Sequence, residues 1–398
     1  MTVSMRTQVA IIGAGPAGLV LGQLLHLHGI ESVILERRDR PYVERRLRAG
    51  VLEQGSATLL RDIGVGARMD REKLEHHGVH FQFDGERHRI DLSALTGGKS
   101  ITVYGQHEIV KDLIAARVAL GGPLRFEVTD VALHDLDTER PRVTFHHEGD
   151  GHEIRCDFVA GADGSHGVSK GSAPAGHFTT YERSYPFGWL GILAEAPPSL
   201  DELVYAWNER GFALHSMRTP AITRLYVQCP ADDSLDEWPD ERIWAELQAR
   251  LGMADGWRLR EGPILEKSIT RIRSHVTEPM SYGRLFLAGD AAHVVPPTGA
   301  KGMNLAINDV RVLGSALASW YRTGDGRALE QYSSTCLRRV WRAEHFSWWM
   351  TSMLHRFPGD DLFGARLQLA QLRYVCRSPA AATSFAENYV GYEGNEDA

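Results

Sequence analysis

The chain has 398 residues, which is longer than a domain with a single hydrophobic core usually is, so two or three domains are expected. Its 43% hydrophobic residues are enough to form their cores. The net charge of −7 and an isoelectric point near 6.2 argue against nucleic acid as the main partner, because neutralising phosphates requires a basic face. The 4 cysteines are widely separated, predict neither a metal site nor a disulfide framework, and fit a reduced cytoplasm. An early apolar run, residues 9–25, is broken by glycine and proline, so we expect no signal peptide and no membrane span.

A dinucleotide-binding fingerprint opens the chain. Val9–Ile12 has the pattern of a buried strand, and Gly13, Gly15 and Gly18 follow it at GxGxxG spacing before a helical pattern. The first glycine permits a tight turn, the second lets the backbone approach a pyrophosphate, and the third allows close packing of helix on strand. Glu36 ends the next strand and offers a carboxylate to ribose hydroxyls. These features predict a parallel βαβ unit that binds a dinucleotide.

An arginine-rich segment comes next. Residues 37–48 contain six arginines against two acidic residues, although the chain as a whole is acidic. Charge runs of this kind are usually solvated surface loops, and the residues alone indicate nothing more.

The middle of the chain is predicted to be mostly strands, from the alternation of polar and apolar residues and the positions of its glycines. The predicted elements are antiparallel strands over 73–104 with a turn at Asp84-Gly85, a helix over Gln106–Ala119, a hairpin of Arg142–Phe145 with Glu153–Ala160, and strands over Tyr185–Cys229.

The last third begins with another buried strand, Arg284–Asp290, which ends in an acidic residue. A glycine-rich turn and a helix from about Met303 follow. Residues 337–357 carry large apolar side chains on more than one helical face, so we expect this helix to be buried on several sides.

Two further glycine-acid turns favour FAD over a nicotinamide as the tightly bound nucleotide. They contain Asp163 and Asp290, and lie far from the first fingerprint in the chain. Alone, each would be an ordinary strand-to-helix connection. A flavin, however, needs donors and acceptors for its ribityl chain and ring beyond the first βαβ unit. Asp290 is predicted to accept from ribityl hydroxyls, and residues 296–304 to bring backbone N–H groups and a helix N-terminus to the flavin ring.

The motifs together resemble those of the single-component FAD-dependent aromatic hydroxylases, and among these the enzymes that act on para-hydroxybenzoate. The resemblance covers almost the whole chain. Beyond the three nucleotide motifs, it is carried by RAGVLEQG at 48–55, YPFGWLG at 185–191, the whole block 284–304, FSWWM at 346–350 and ENYVG at 387–391. It implies an α/β fold with a Rossmann-like FAD-binding domain, a second, mainly antiparallel β substrate domain, and a helical C-terminal region.

The implied domains are discontinuous. The expected segments are FAD-binding over 1–76, substrate-domain strands over 77–104, FAD-binding over 105–182, substrate domain over 183–272, FAD-binding over 273–330, and a helical dimerisation region over 331–398. A homodimer is expected on the same basis.

The resemblance also implies a reaction. NADPH, favoured over NADH, reduces FAD; O2 adds at flavin C4a; and the distal oxygen of that hydroperoxide passes to the ring carbon ortho to the phenol of 4-hydroxybenzoate, giving 3,4-dihydroxybenzoate. Two alternatives stay open at this stage. One is a hydroxylase of another phenolic acid, and the other is a non-catalytic flavin-binding redox sensor.

Substrate residues follow from the chemistry and the resemblance together. A benzoate carboxylate in an apolar pocket requires a fixed cation, and the planar fork of arginine can bind it in bidentate fashion. The resemblance assigns that role to Arg218. It implies a substrate site completed by Ser216, Tyr226, Arg224, Trp189, Leu203, Leu214 and Thr298.

The phenol needs activation, because a pKa near that of tyrosine, about 10, leaves only ~0.1% phenolate at pH 7. The resemblance implies that Tyr205 bonds the phenolic oxygen, that Tyr389 is its partner, and that His76 is the outer end of a proton relay. Pro297 is implied as a further catalytic residue in the pocket wall, which excludes water from the reaction.

Cofactor residues complete the predicted site. Those for FAD are Gly13, Gly15, Gly18, Glu36, Arg48, Gln106, Asp163, Asp290, Gly299 and Asn304. For NADPH the resemblance implies Arg37, Tyr42, Arg48, His166 and Arg273, and Arg38 adds a further positive charge beside them. The extra cations near residue 38 favour NADPH, because its 2′-phosphate is attracted to them.

Overall fold

The structure is a computed structural model that describes residues 3–46 and 50–392. Arg48, predicted above to contact both nucleotides, lies outside the described residues. None of the helices in the described ranges combines the length and the apolar character that crossing a membrane requires.

The strands within the described residues are β1 (Val3–Arg6), β2 (Val9–Ile12), β3 (Ser32–Leu35), β4 (Val51–Leu52), β5 (Leu74–His76), β6 (Gly78–Phe83), β7 (Glu86–Asp91), β8 (Ile101–Val103), β9 (Leu124–Arg125), β10 (Thr129–His134), β11 (Arg142–His147), β12 (Asp150–Arg155), β13 (Phe158–Gly161), β14 (Thr179–Ala194), β15 (Val204–Ala206), β16 (Ala213–Thr219), β17 (Ile222–Pro230), β18 (Ile264–Glu278), β19 (Ser281–Tyr282), β20 (Leu285–Leu287) and β21 (His293–Val294).

The helices are α1 (Pro16–Leu27), α2 (Arg40–Arg45), α3 (Gln54–Asp62), α4 (Gly66–Glu72), α5 (Leu92–Leu95), α6 (Gln106–Ala119), α7 (Asp240–Leu251), α8 (Gly302–Thr323), α9 (Arg327–Glu330), α10 (Tyr332–Leu354), α11 (Leu362–Arg377) and α12 (Pro379–Val390). Short 3-10 turns occur at Lys170–Ser172, Leu235–Glu237, Gly289–Ala291 and Pro297–Gly299.

The central sheet has the strand order β19-β20-β13-β2-β3-β9, and all of its pairs except β19-β20 are parallel. Its main strands are buried along their whole length, as parallel strands covered by helices usually are. Helix α1 packs against α6 and α8 beside this sheet. The strands come from distant parts of the chain, so the nucleotide-binding layer is assembled from discontinuous segments.

One predicted element is wrong: Glu153–Ala160 is not a single strand. β12 ends at Arg155 in an outer sheet of order β1-β12-β11-β10, and β13 begins at Phe158 in the central sheet. The change in burial explains the break. β12 alternates between buried and exposed residues, which suits a sheet with one solvated face, whereas every residue of β13 is buried.

An eight-stranded sheet of order β21-β18-β14-β17-β16-β15-β6-β7 forms the substrate side of the molecule. All its pairs are antiparallel except β15-β6. The predicted turn at Asp84-Gly85 is present, and both residues have positive φ. β8 does not join this sheet, because it pairs with β4 and β5 in a small sheet of its own.

Two long strands cross the predicted domain limits. β14 starts at Thr179 and β18 ends at Glu278, so the limits at 182/183 and 272/273 fall inside paired strands. A continuous ladder therefore joins the two sides of the molecule.

The two faces of the eight-stranded sheet serve different cores. Trp189 and Tyr205 point into a core shared with α10, α11 and α12. Their neighbours Leu190 and Val204 point the other way, into a core shared with α7. This alternation is the period of two expected for strands, and it places the aromatic residues on the face that carries the candidate site.

Helix α10 is buried on several sides, as the sequence predicts. Cys336 and Val340 lie in the core shared with α8, and Met350 and Met353 lie in the core shared with α11 and α12. Trp341 and Trp348 share a further helical face and are 39% and 37% exposed. This face of the helix is therefore only partly covered by the described residues.

Candidate active site

The glycine turn after β2 has the geometry of a nucleotide cradle. Gly13 has φ of 105°, and a Cβ there would lie 2.3 Å from the carbonyl oxygen of Ala162, so only glycine fits. A Cβ at Gly18 would lie 2.0 Å from the carbonyl oxygen of Gly13, which explains the close packing of helix on strand. Gly15 faces open space, because a Cβ added there would meet nothing within 4 Å. The backbone at Gly15 is thus open to a ligand at the N-terminus of α1.

Glu36 closes this cradle at the end of β3. Its carboxylate accepts the backbone N–H of Ala14 at 2.9 Å and that of Arg38 at 2.8 Å. These bonds fix the carboxylate beside the glycine turn while leaving it acceptor capacity for ribose hydroxyls.

The two later glycine-acid turns lie at the same edge of the central sheet, because β13 and β20 run parallel to β2. The Oδ2 atom of Asp163 accepts from the backbone and hydroxyl of Ser169, both at 2.9 Å, whereas its Oδ1 is buried without a hydrogen-bond partner. Burial raises the pKa of this carboxyl. Asp290 is exposed on the turn after β20. The Asp163 Oδ1 atom, which has no hydrogen-bond partner among the described residues, and the exposed Asp290 carboxylate can accept hydrogen bonds from the hydroxyls of FAD.

The Pro297–Gly299 turn precedes α8 and packs against α10. Thr298 and Gly299 are buried against α10, and a Cβ at Gly299 would lie 2.6 Å from the Ser347 hydroxyl, while Pro297 is exposed. The side chain of Asn304 bonds the backbone of Val51, Glu53 and Ala300 at 2.9 to 3.0 Å. Its amide group therefore braces the loop, and its predicted contact with FAD stays a prediction.

Sequence reasoning missed a buried ion cluster beside this turn. The Lys301 ammonium bonds Glu53 at 2.7 Å and the carbonyl oxygen of Tyr389 at 3.1 Å, and Arg339 bonds the other oxygen of Glu53 at 2.6 Å. Burial lowers the pKa of Lys301, and the adjacent Glu53 opposes that effect. Glu53 lies in the motif RAGVLEQG and Lys301 lies in the block 284–304. One charged residue within each of these motifs was the signal from which an ion pair could have been predicted.

On the substrate side, two tyrosines meet in the aromatic core. The hydroxyls of Tyr205 and Tyr389 are 2.6 Å apart, and the residues are only 1% and 2% exposed. Phe81 and Phe385 pack around them, with the Phe81 ring 5.9 Å from that of Tyr205 and 5.1 Å from that of Phe385. Burial raises the pKa of Tyr205 and Tyr389, so both hydroxyls are neutral donors at neutral pH.

His76, predicted as the outer end of the relay, is also buried. Neither ring nitrogen has a hydrogen-bond partner among the described residues, and burial lowers the pKa of this histidine to about 4. The ring is therefore neutral at neutral pH. The structure brings it to the small sheet next to the site but gives it no direct bond to either tyrosine.

Two arginines lie on adjacent strands near these tyrosines. Arg224 is buried with Nε and Nη1 free of hydrogen bonds, and its guanidinium lies 5.2 Å from the centre of the Tyr226 ring. Arg218 donates to the carbonyl oxygen of Met217 at 2.9 Å and approaches the Ser216 hydroxyl at 3.4 Å. Burial lowers the pKa of Arg218. The buried Arg224 guanidinium, with two nitrogens that lack a partner among the described residues, and the half-buried Arg218 guanidinium can together bind an anion.

The electrostatics at Tyr226 reflect the two cations. Burial alone would raise the pKa of its hydroxyl, but Arg224 and Arg218 lower it below the usual value. Gly191 makes room for this arrangement, since a Cβ there would lie 2.8 Å from Nη2 of Arg224 and 3.2 Å from the Tyr226 ring. This glycine belongs to the quoted YPFGWLG motif, yet its role emerges only from the strand register.

The predicted wall residues line the same face. Trp189, Leu203 and Leu214 are all buried. The Trp189 ring lies 5.1 Å from that of Phe212 and 4.9 Å from that of Tyr226. The wall is therefore apolar and directly supports the cationic end of the site.

The predicted nicotinamide residues form two groups on separate elements. Arg37 and Arg38 are exposed between β3 and α2, Tyr42 is exposed on α2, and the Arg38 guanidinium lies 5.0 Å from the Tyr42 ring centre. His166 is exposed after β13, and Arg273 is half-buried on β18. Gln106, predicted for FAD, is the half-buried first residue of α6.

Comparisons with known proteins agree with this geometry. The FAD binding domain family model matches residues 6–347. The p-hydroxybenzoate hydroxylase of Acinetobacter baylyi is 51% identical over 98% of this chain and 96% of its own length. A 3-(3-hydroxy-phenyl)propionate/3-hydroxycinnamic acid hydroxylase of Mycolicibacterium gilvum is 26% identical over 84% of this chain, which spans 57% of that protein.

Among solved structures, p-nitrophenol 4-monooxygenase PnpA from Pseudomonas putida has a TM-score of 0.83, covering 99% of this chain and 100% of its own at 16% identity, which shows the shared fold. The extent of the family match and the identity to the Acinetobacter enzyme establish more than a fold. The chain belongs to the family of FAD-dependent aromatic hydroxylases.

Proposed function

We propose that this enzyme hydroxylates 4-hydroxybenzoate at C3 to give 3,4-dihydroxybenzoate, using NADPH and O2. The observation that carries the proposal is that two different polar groups project from one face of the eight-stranded sheet. Half-buried Arg218 and buried Arg224, whose Nε and Nη1 have no hydrogen-bond partner among the described residues, lie at one end, and the Tyr205-Tyr389 hydroxyl pair lies at the other. An aromatic acid with a carboxylate at one end and a phenol at the other satisfies both.

Strand register supports the distance between these ends. Leu214 on β16 pairs with Tyr205 on β15 and with Tyr226 on β17. Neighbouring strands lie about 4.8 Å apart, so the Cα atoms of the two tyrosines are roughly 10 Å apart across the sheet. One aromatic ring with a substituent at each end fits between two such rows.

At the carboxylate end, each polar side chain has a different proposed role. Arg218 supplies a planar guanidinium that can bind both carboxylate oxygens, and the hydroxyls of Ser216 and Tyr226 add neutral donors. Arg224, above the Tyr226 ring, adds a second positive charge, and within the described residues its guanidinium lies 4.0 Å from the carboxylate of Glu266.

At the phenol end, Tyr205 acts on the substrate hydroxyl. Lowering the phenol pKa by ~2 to 3 units requires roughly 3 to 4 kcal/mol of preferential phenolate stabilisation. A neutral Tyr205 hydroxyl can donate to the phenolate, and Tyr389, 2.6 Å behind it, can relay the proton onward. His76, neutral and buried nearby, is the proposed next carrier.

When bound, FAD supplies the redox chemistry, accepting a hydride from the nicotinamide and activating O2 for transfer to the ring. We propose that Gly13, Gly15, Glu36, Asp163 and Asp290 hold it in the cradle described above. The apolar wall formed by Trp189, Leu203, Leu214 and Pro297 keeps water from the reacting atoms.

NADPH is the proposed electron donor. Arg37, Arg38 and Tyr42 are exposed together at the start of α2, where two guanidinium groups can contact the 2′-phosphate. His166 and Arg273 are the proposed contacts for the rest of the nucleotide. A cytoplasmic location is proposed as well, because the 4 cysteines are widely separated in the sequence.

We also propose a homodimer that pairs through α11. Leu362, Phe363, Leu367 and Tyr374 of this helix are 57% to 83% exposed, an unusual concentration of apolar surface. A second copy, related by a two-fold axis, would cover the same face on both chains. Phe363→Arg should convert a dimer to a monomer in light scattering; a monomeric unsubstituted protein would overturn this assignment.

Product identification tests the function. The purified yellow protein is incubated aerobically with NADPH and each member of a panel of hydroxybenzoates and hydroxyphenylpropionates, and products are identified by mass spectrometry. The expected result is 3,4-dihydroxybenzoate from 4-hydroxybenzoate only. Faster conversion of another phenolic acid would identify a different hydroxylase, and a flavoprotein without turnover on any phenol would identify a redox sensor.

A further inference from the structure

His355 follows directly after α10 and is completely buried, although no predicted role involves it. Its ring Nδ1 lies 3.0 Å from the carbonyl oxygen of Thr351, and its Nε2 lies 2.7 Å from Nε1 of Trp189. A carbonyl can only accept and an indole N–H can only donate. The ring must therefore carry its proton on Nδ1 and accept from Trp189 at Nε2.

The imidazole is also held by aromatic stacking. Its ring centre lies 4.7 Å from Phe187 at an interplanar angle of 9°, and 4.4 Å from Phe212 at 28°. Trp189 stacks on Phe212 in turn, at 5.1 Å and 21°. These contacts fix both the plane and the direction of the acceptor. Burial lowers the pKa of His355 to about 3, so the acceptor persists across the physiological range.

The same turn of α10 reaches the opposite wall of the pocket. The Thr351 hydroxyl donates to the carbonyl oxygen of Ser347 at 2.7 Å, which leaves its oxygen to accept from the Thr298 hydroxyl at 2.8 Å. Thr298 lies in the Pro297–Gly299 turn, which is predicted to bring backbone N–H groups to the flavin. The end of α10 thus bonds Trp189 through His355 and the Pro297–Gly299 turn through Thr351.

We infer that His355 is a positioning residue that holds the Trp189 indole in the pocket wall and, through Thr351, sets its spacing from the Pro297–Gly299 turn. This inference rests on the proposed function. Trp189 packs directly on the Tyr226 ring at 4.9 Å, so a displaced indole would disturb the carboxylate end and admit water. His355 touches neither end of the proposed substrate; it acts through Trp189.

The test compares four variants of the FAD-loaded enzyme: His355→Leu, His355→Gln, Trp189→Phe and the Leu/Phe double variant. Glutamine can place an amide oxygen where Nε2 was, whereas leucine cannot accept. Two quantities are measured with 4-hydroxybenzoate: its Kd, and the H2O2 released per NADPH oxidised. We expect His355→Leu to raise both several-fold, His355→Gln to stay near the unsubstituted enzyme, and the double variant to match Trp189→Phe alone.

A matched control is His152→Leu. His152 is likewise buried and stacked on a phenylalanine, Phe145 at 5.1 Å and 12°, but it lies in the outer sheet. Its coupling and substrate Kd should not change. Unaltered coupling in His355→Leu, or effects of His355→Leu and Trp189→Phe that multiply in the double variant, would overturn the inference.

Two further outcomes are distinguishable. If His355→Leu does not fold, Trp189→Phe must still release excess H2O2 and His355→Gln must not; any other pattern refutes the positioning role. If the unsubstituted enzyme makes no 3,4-dihydroxybenzoate, the proposed function fails. In that case the Kd values of 4-hydroxybenzoate for the same variants still decide whether His355 acts through Trp189.

Discussion

Replacing Tyr205 by phenylalanine isolates the proposed activation of the phenol. The Tyr205 hydroxyl is buried and bonded to that of Tyr389 at 2.6 Å, so no bulk water can replace it. A hydrogen bond to a charged group contributes about 1.5 to 3 kcal/mol. At about 1.4 kcal/mol per pKa unit, its loss should raise the pKa of the bound phenol by roughly 1 to 2 units. The phenolate fraction at neutral pH should then fall roughly 10- to 100-fold.

The assay is a spectrophotometric titration of bound 4-hydroxybenzoate, together with the ratio of 3,4-dihydroxybenzoate to NADPH consumed. Tyr205→Phe should retain FAD and bind the substrate, but release most reducing equivalents as H2O2. Tyr332→Phe is the matched control, because its equally buried hydroxyl donates to the Leu287 carbonyl oxygen at 2.7 Å, away from the pocket. It should lose stability without changing the phenol pKa. An unchanged phenol pKa and product yield in Tyr205→Phe would refute the activation role.

Three substitutions test separate parts of the site, and a change of pH tests the stability of the fold. Gly13→Ala should give colourless protein with FAD affinity reduced more than 100-fold, measured by fluorescence titration, because its Cβ would lie 2.3 Å from a carbonyl oxygen. Arg218→Lys should raise the Kd of 4-hydroxybenzoate roughly 10- to 100-fold by losing about 1.5 to 3 kcal/mol of charge-assisted, bidentate bonding. Arg38→Gln should raise the KM for NADPH while leaving that for NADH unchanged, in steady-state assays. Lowering the pH should destabilise the fold, because burial lowers the pKa of His76 and of His215 to about 4 in the folded protein. Between pH 6.5 and 4 these two histidines therefore take up protons in the unfolded chain but not in the folded one. In urea denaturation, the free energy of unfolding should fall by about 1.4 kcal/mol per pH unit for each histidine over this range.

Each of these has its own contradicting result. Gly13→Ala with normal colour would show that the first fingerprint does not hold the flavin. An Arg218→Lys variant with unchanged Kd would remove the carboxylate anchor. A higher kcat/KM with NADH than with NADPH in the unsubstituted enzyme would end the assignment of the arginine-rich segment. A stability flat from pH 6.5 to 4 would show that the buried histidines do not titrate on unfolding.

The sequence alone predicted the features that depend on short stretches of chain. Gly13 and Glu36 identify the βαβ unit because a turn, a strand and an acid at fixed offsets are local properties. The turn at Asp84-Gly85 and helix α6 were predictable for the same reason, and the resemblance supplied the family. The break at Cys156-Asp157 was not predictable, since it depends on which sheet each half-strand joins.

Tertiary structure alone decided how distant residues combine. The side-chain amide of Asn304 bonds the backbone of Val51 and Glu53, 253 and 251 positions earlier in the chain, and no local pattern indicates these partners. The Glu53-Lys301 pair and the His355-Trp189 bond join residues that no periodicity relates. Sequence periodicity reports which face of an element is buried, but not which other element covers it. The nucleotide cradle could therefore be predicted from the sequence. The Glu53-Lys301 ion pair and the His355-Trp189 hydrogen bond form only when the strands and α10 pack together.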